Sequence, residues 1–224
     1  MSRRRSISNQ SDATFSRFTA TFINSAFDYK RVMTPETYEV IKDIVDAKSS
    51  PFASLFLSVI TMTNYIAAAS KAKVQMTART GRWTMNLNTY SIFIGPQCSG
   101  KTPTIKAAVM EPFKGLGASL RSTIKGRLTM AALADELADN EKGHNVYMVN
   151  SGVAETLCRH VESSKAKSNG DLALLNQVYS GEDVDNSYTT RNDQHIPGDA
   201  ALCILGMAYH FYFITNIRFL KEYL

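Results

Sequence analysis

What this chain lacks narrows its function first. Its three cysteines, Cys98, Cys158 and Cys203, are an odd number without metal-like spacing, and a reduced intracellular compartment, cytoplasmic or nuclear, is the simplest reading. No apolar stretch follows the arginines at positions 3–5, so no secretory signal is read. The Arg- and Ser-rich opening, with Asp12 as its single acid among the first 18 residues, leaves an organellar transit peptide as the alternative. There is no internal repeat, no long low-complexity tract and no guanine-reading N-K-x-D run. By elimination, adenine is the default base for any nucleotide.

No charge appears between Lys48 and Lys71. The stretch PFASLFLSVITMTNYIAAAS is long enough to cross a bilayer, but Ser54, Ser58, Thr61, Thr63 and Asn64 dilute it. A buried or half-buried helix is therefore expected there, and a membrane partner is not.

The length of 224 residues suits one α/β domain with a short extra segment. A hydrophobic fraction of 44% and a charged fraction of 20% are ordinary for a globular protein that buries a core. The net charge of +5 permits polyanionic partners, nucleic acid among them, without requiring them.

Along the chain, residues 1–20 read as a disordered basic tail. Its Arg3-Arg4-Arg5-Ser6 run resembles a basophilic kinase site, against the plainer reading of solvated charge. Residues 21–72 read as a helical lead-in. One helix starts at Pro35 with Thr34 as N-cap, and a longer one runs from Pro51 to about Lys71. Residues 73–224 read as the nucleotide-binding domain, with its C-terminal strands absent from this chain.

In that domain VQMTARTGRWTMNLNTYSIFI reads as β-structure with a turn at Thr80-Gly81. A helix follows from about Lys101 to Leu116, then one capped by Thr129, a strand at VYMVN, a helix from Ala154 to about Ser164, and another at DLALLNQVYS. NSYTTR is an edge strand or hairpin arm and IPGD a turn. ALCILGM is a central parallel strand, and a final helix begins in YHFYF. Alternating strands and helices predict an α/β fold, a P-loop NTPase-like, mostly parallel sheet with helices on both faces.

The chemistry concentrates in GPQCSGKTP, Gly95 to Pro103, which matches G-x-x-x-x-G-K-[ST] in full. Glycines let successive backbone N–H groups turn inward and form an anion nest, and the following helix adds the positive end of its dipole. Gly95, Pro96, Gln97, Cys98, Ser99, Gly100, Lys101 and Thr102 are the expected ATP-binding residues. Lys101 is placed on the β- and γ-phosphates and the Thr102 hydroxyl on Mg²⁺. Cys98 is read as a spacer, with redox sensitivity as the alternative. Pro103 stands where most P-loops offer an N–H to the α-phosphate, and proline has none, so a weaker hold on that phosphate is expected.

The run NLNTYSIFIGPQCSGKTPTIKAAVMEPF resembles an uncharacterised P-loop family. That family is a domain of unknown function found in mobile-element proteins, often joined to primase modules, with eukaryotic members. The preceding apolar helix, the segment RLTMAALADELADN, the segment LLNQVYSGEDVDNSYTTR and the strand ALCILGMAYHFYF are similar to its pattern, so that residues 51–215 are covered. The resemblance implies helicase-like, ATP-dependent work, with DNA as a partner and oligomerisation as a further expectation.

Hydrolysis normally needs an acid at the end of a second core strand. VYMV instead ends at Asn150, an uncharged candidate for the metal shell. Glu155, with helix-surface solvation as the plainer reading, or Glu182, Asp183 and Asp185, with a solvated turn as the equal alternative, are the candidates for the missing acid. Arg191 is a candidate γ-phosphate contact and His210 a candidate sensor, and the aromatics 209 and 211–213 are core residues or a base-stacking surface. Two classes therefore stand open: a weak or partner-dependent ATPase, and a non-catalytic nucleotide- or nucleic-acid-binding module. A small-molecule kinase is a third and weaker option, because SSKAKSNG makes a poor lid.

Overall fold

The computed structural model describes residues 27–78, 81–95, 98–115, 117–126, 128–150, 170–186 and 194–209. The expected helix at 154–164, with Glu155, lies outside them, as do Pro96, Gln97, Arg191 and His210. The chain divides into two compact units, 1–42 and 43–224, and the division falls inside helix α1 (Pro35–Lys48). In the first unit, Thr34 caps α1 as expected, its hydroxyl accepting from the Thr37 N–H at 3.3 Å. Lys30 lies 5.0 Å from the centre of the Tyr38 ring.

The second unit is built on four parallel strands: β3 (Tyr90–Gly95), β4 (Ile124–Lys125), β5 (Asn145–Asn150) and β8 (Ala201–Tyr209). Their order is β3-β8-β5-β4. The last strand in sequence is thus inserted between the first and the third. Ala201 through Leu205 are completely buried, which is why ALCIL reads as an unbroken apolar run: a central strand has no solvent face on which to place a polar residue.

Helices cover both faces, as the sequence predicts. On one face α5 (Met130–Ala138) presents Met130, Leu133, Ala134 and Leu137, and α6 (Gly170–Ser180) presents Leu174, Leu175 and Val178. They meet Val146 and Met148 of β5 and Leu202 and Ile204 of β8 in one apolar cluster. Each fully buried Leu or Ile there contributes about 2 kcal/mol relative to exposure. The Thr129 hydroxyl caps α5 by accepting from the Ala132 N–H at 3.2 Å.

On the other face lies α2 (Phe52–Ala69). It buries Leu55, Ser58, Thr61, Tyr65 and Ala68, a three-and-four spacing that includes polar groups. Ser58 and Thr61 satisfy their hydroxyls on the helix's own carbonyls, each at 2.8 Å, and Thr61 also reaches Ser91 of β3 at 3.3 Å. Tyr65 stacks on Tyr147 of β5, centroids 4.9 Å apart, with Phe113 against both. Among the described residues α2 is the one helix long and apolar enough to cross a membrane, and here it packs on a sheet.

Helix α3 follows β3 as Lys101–Ile105 and Glu111–Lys114, joined by a π-helical turn, Lys106–Met110. The Glu111 N–H bonds the Lys106 carbonyl, five residues back. Pro112 accounts for the turn: in an unbroken α-helix its ring would press on the carbonyl of Ala108, and one extra residue per turn relieves this. The helix ends at Lys114, slightly before the expected Leu116. The short α4 (Ala118–Ser122) then leads to β4.

Two small hairpins stand apart from the main sheet. β1 (Lys73–Ala78) pairs antiparallel with β2 (Gly81–Asn86), and β6 (Val184–Asn186) with β7 (Gln194–Ile196). Of the expected NSYTTR segment, Asn186 ends the β6 arm and residues 187–191 lie outside the described part. Gly198, in the expected IPGD turn, sits so close to the Gly181 backbone that a β-carbon on it would lie 2.5 Å from that carbonyl oxygen.

Candidate functional site

β3 delivers the chain to Gly95 at the carboxyl end of the parallel sheet, the end at which open α/β sheets bind ligands. Beyond Pro96 and Gln97, Cys98 turns back with φ 62° and Gly100 with φ 75°. The Gly100 carbonyl accepts both the N–H (3.2 Å) and the hydroxyl (2.8 Å) of Thr104, which anchors the loop to the first turn of α3.

Gly100 is required twice. Its backbone is left-handed, and a β-carbon there would lie 3.1 Å from Pro51 Cδ, 3.4 Å from the Ser49 oxygen and 3.5 Å from Ser50 Cα. The corner between α1 and α2 therefore forms a wall behind the loop. Sequence reasoning read Pro51 only as a helix start and missed this contact. Ser49 at φ 49° is the local sign of a tight corner, but nothing local says what it touches.

Lys101 is buried (8% exposed) and its Nζ donates to Ser99 Oγ at 3.0 Å, so the ammonium is folded back over the loop. Thr102 and Pro103 face outward, and Cys98 is exposed. Clustered donors at the start of a helix, with a lysine over them, suit a polyphosphate. The described loop residues are compatible with that group, and Thr102 is exposed beside Lys101. No group of three His, Cys, Asp or Glu able to hold a metal occurs among the described residues.

The structure separates the remaining candidates. Asn150 ends β5 opposite Gly206 of β8, and Gly206 pairs with Ile92 of β3. Asn150 is thus two strands away from β3 and three residues, about 10 Å, below the level of Gly95.

Glu182, Asp183 and Asp185 cannot supply the missing acid. Asp183 accepts from the Gly198 N–H at 2.6 Å, just before Ala201 opens β8, whereas the loop lies beyond Tyr209 at the other end. Eight residues of strand put about 26 Å between them. Asp185 is two residues further on, a reach of at most about 7 Å, and its carboxylate holds His195 Nδ1 at 2.8 Å. The sequence placed these acids next to a glycine turn. Only the direction of β8 shows that the turn is at the wrong end.

No family model, curated protein or solved structure matches the chain. The likeness of residues 51–215 to the helicase/primase-associated P-loop family is therefore an expectation from the sequence alone.

Proposed function

We propose that the chain is a P-loop NTPase-like, ATP-binding domain of the helicase/primase-associated type. Gly95 to Thr102 hold the β- and γ-phosphates, Lys101 neutralises them, and Thr102 ligates the accompanying Mg²⁺. The observation that carries this reading is Gly100: it is left-handed, walled by Ser49–Pro51, and followed directly by a buried lysine at the start of α3. The strand order also favours it, because inserting β8 between β3 and β5 leaves the loop at the carboxyl edge of an open parallel sheet.

Hydrolysis in this reading is weak or partner-dependent. A second reading, a binding module without turnover, is favoured because β5 ends in the uncharged Asn150, two strands from β3, and so brings no acid to the loop.

Calorimetric titration of the purified chain with Mg-ATP, beside Lys101→Ala, tests the proposal. Wild type binds and the variant loses at least tenfold in affinity while melting within a few degrees of wild type. No binding by wild type rejects it. Phosphate release measured with and without DNA then separates the two readings.

A further inference from the structure

The four-stranded sheet has two edges, β3 and β4, and they are finished differently. β4 is only two residues long and carries Lys125, and a short, charged strand is a poor template for further pairing. β3 has neither device. It runs for six residues, and no charged residue occurs between Arg82 and Lys101. Proline is absent until Pro96, just past its end.

The ladder with β8 fixes which backbone groups of β3 are left over. The Ile204 N–H donates to the Thr89 carbonyl at 2.9 Å, so Ser91 and Phe93 in turn direct their N–H and C=O groups at β8. Tyr90, Ile92 and Ile94 direct theirs away from it. Among the described residues no backbone group pairs with those three on the outer side. Side chains alternate as well. The Tyr90 hydroxyl donates to the Leu175 carbonyl of α6 at 3.0 Å, so Tyr90, Ile92 and Ile94 share the α6 face. Tyr179 of α6 packs on Tyr90, centroids 5.2 Å apart, and is itself 48% exposed, while Ile94 is 43% exposed. An apolar strip, exposed at both ends, thus runs along the open edge on that face.

We propose that the outer edge of β3 takes up an extended segment of a partner protein as a fifth strand, uncharged and apolar at every second position. Besides water, only another extended backbone matches a row of outward N–H and C=O groups spaced by about 7 Å. Main-chain pairing of this kind supplies affinity, and alternate side chains supply selectivity. The strip of Tyr179, Tyr90, Ile92 and Ile94 selects the apolar positions. On the other face Thr61 of α2 already reaches Ser91, so small residues fit there. An edge about 20 Å long offers well under the about 800 Å² per partner of a standard interface, which suits a peptide segment and not a second copy of the chain. β3 also leads into the phosphate loop at Gly95, but the proposal rests on the edge alone and stands whether or not the loop binds ATP.

Residue-resolved amide exchange on the full chain reads the edge directly. The probe is a fluorescein-labelled peptide of alternating threonine and valine with a lysine at each end for solubility. In the free chain β8 should protect Ser91 and Phe93, while Ile92 and Ile94 exchange much faster. Saturating peptide should slow Ile92 and Ile94 by about tenfold or more and leave Ser91 and Phe93 as they were. Ile94→Pro removes one outward N–H and no bond to β8, and Ile94→Lys adds the charge that the edge lacks. By anisotropy of the peptide, each should weaken binding about tenfold, whereas Ile94→Val should bind as wild type does. Trp83→Ala, on the β1–β2 hairpin, should also bind as wild type does.

The proposal is overturned if the peptide does not bind saturably, or if it binds equally well to Ile94→Pro and Ile94→Lys variants that melt within a few degrees of wild type. It is overturned too if Ile92 and Ile94 are already protected in the free monomer, because another part of the chain then covers the edge. Protection that grows with protein concentration alone would make a second copy the occupant instead. Loss of binding in Trp83→Ala would move the site to the hairpin.

Discussion

Pro51 Cδ stands 3.1 Å from the point that a β-carbon on Gly100 would occupy. The entry to α2 and the loop after β3, some 50 residues apart in sequence, thus share one contact. Gly100→Ala combines the cost of a left-handed alanine, roughly 1–2 kcal/mol, with that contact. The expected loss is about 2–3 kcal/mol in urea unfolding. In Pro51→Ala/Gly100→Ala part of it is recovered relative to the sum of the single changes. Strict additivity would show that the two residues do not meet.

Two buried tyrosines on one aromatic stack should respond in opposite ways to losing their hydroxyls. Thr123 Oγ1 donates to the Leu120 carbonyl at 2.6 Å, so the Tyr65 hydroxyl, bonded to Thr123, must be the donor of that pair. The Tyr147 hydroxyl is buried without a protein partner among the described residues. Tyr65→Phe should cost about 1 kcal/mol, whereas Tyr147→Phe should be neutral or stabilising. Burial pushes the Tyr65 phenol up to about 12 even though the Thr123 bond opposes it. Both phenols should therefore stay protonated in an alkaline ultraviolet titration until the fold opens.

Asn88, between β2 and β3, ties three elements with one buried side chain. Its Nδ2 donates to the carbonyls of Val178 (2.8 Å) and Ala200 (3.1 Å), and its Oδ1 accepts from the Leu202 N–H at 3.0 Å. Asn88→Ala removes all three bonds, leaving the Val178 carbonyl only its bond from the Gly181 N–H, and should destabilise by about 2–3 kcal/mol, read as a shift in the denaturant midpoint. A loss under about 1 kcal/mol would mean that other groups replace the amide.

Glu136 bridges Lys125 and Lys142, each at 2.8 Å. Burial alone would raise its carboxyl, but the two lysines outweigh this and hold it below the ordinary value. A depressed folded-state value means stability that is present above the unfolded carboxyl range and lost as pH falls through the lower, folded value. Glu136→Gln should cost about 1 kcal/mol near neutral pH and converge with wild type in acid. A constant difference across pH 2–7 would rule out the ionic origin.

Pro103 is the third residue of α3 and faces outward. Under the proposed ATP reading, Pro103→Ala restores an N–H near the α-phosphate and should tighten both ADP and ATP binding several-fold in calorimetry. Equal affinities in wild type and variant would remove Pro103 from any account of the site.

Much of the second unit was legible before its structure. The runs YSIFIG, VYMVN and ALCILGM read as strands because buried parallel strands are apolar at consecutive positions, and α5 read as a helix because Leu133 and Leu137 recur one turn apart. β4, only Ile124 and Lys125, carries no pattern long enough to detect. The acids at 182–185 were misplaced because a glycine turn looks the same at either end of a sheet.

By itself the sequence determined the local chemistry: a glycine loop with Lys101 and Thr102 after a strand, the caps at Thr34 and Thr129, and an apolar helix ahead of the loop. These depend on backbone preference and periodicity within a few residues. Only the tertiary structure decided that Ser49–Pro51 wall the loop, that α2 turns Ser58 and Thr61 toward the sheet, and that Asp183 is a strand's length from Gly95. Each of these is a relation between residues far apart in the chain, set by the strand order β3-β8-β5-β4 and by the direction in which β8 returns.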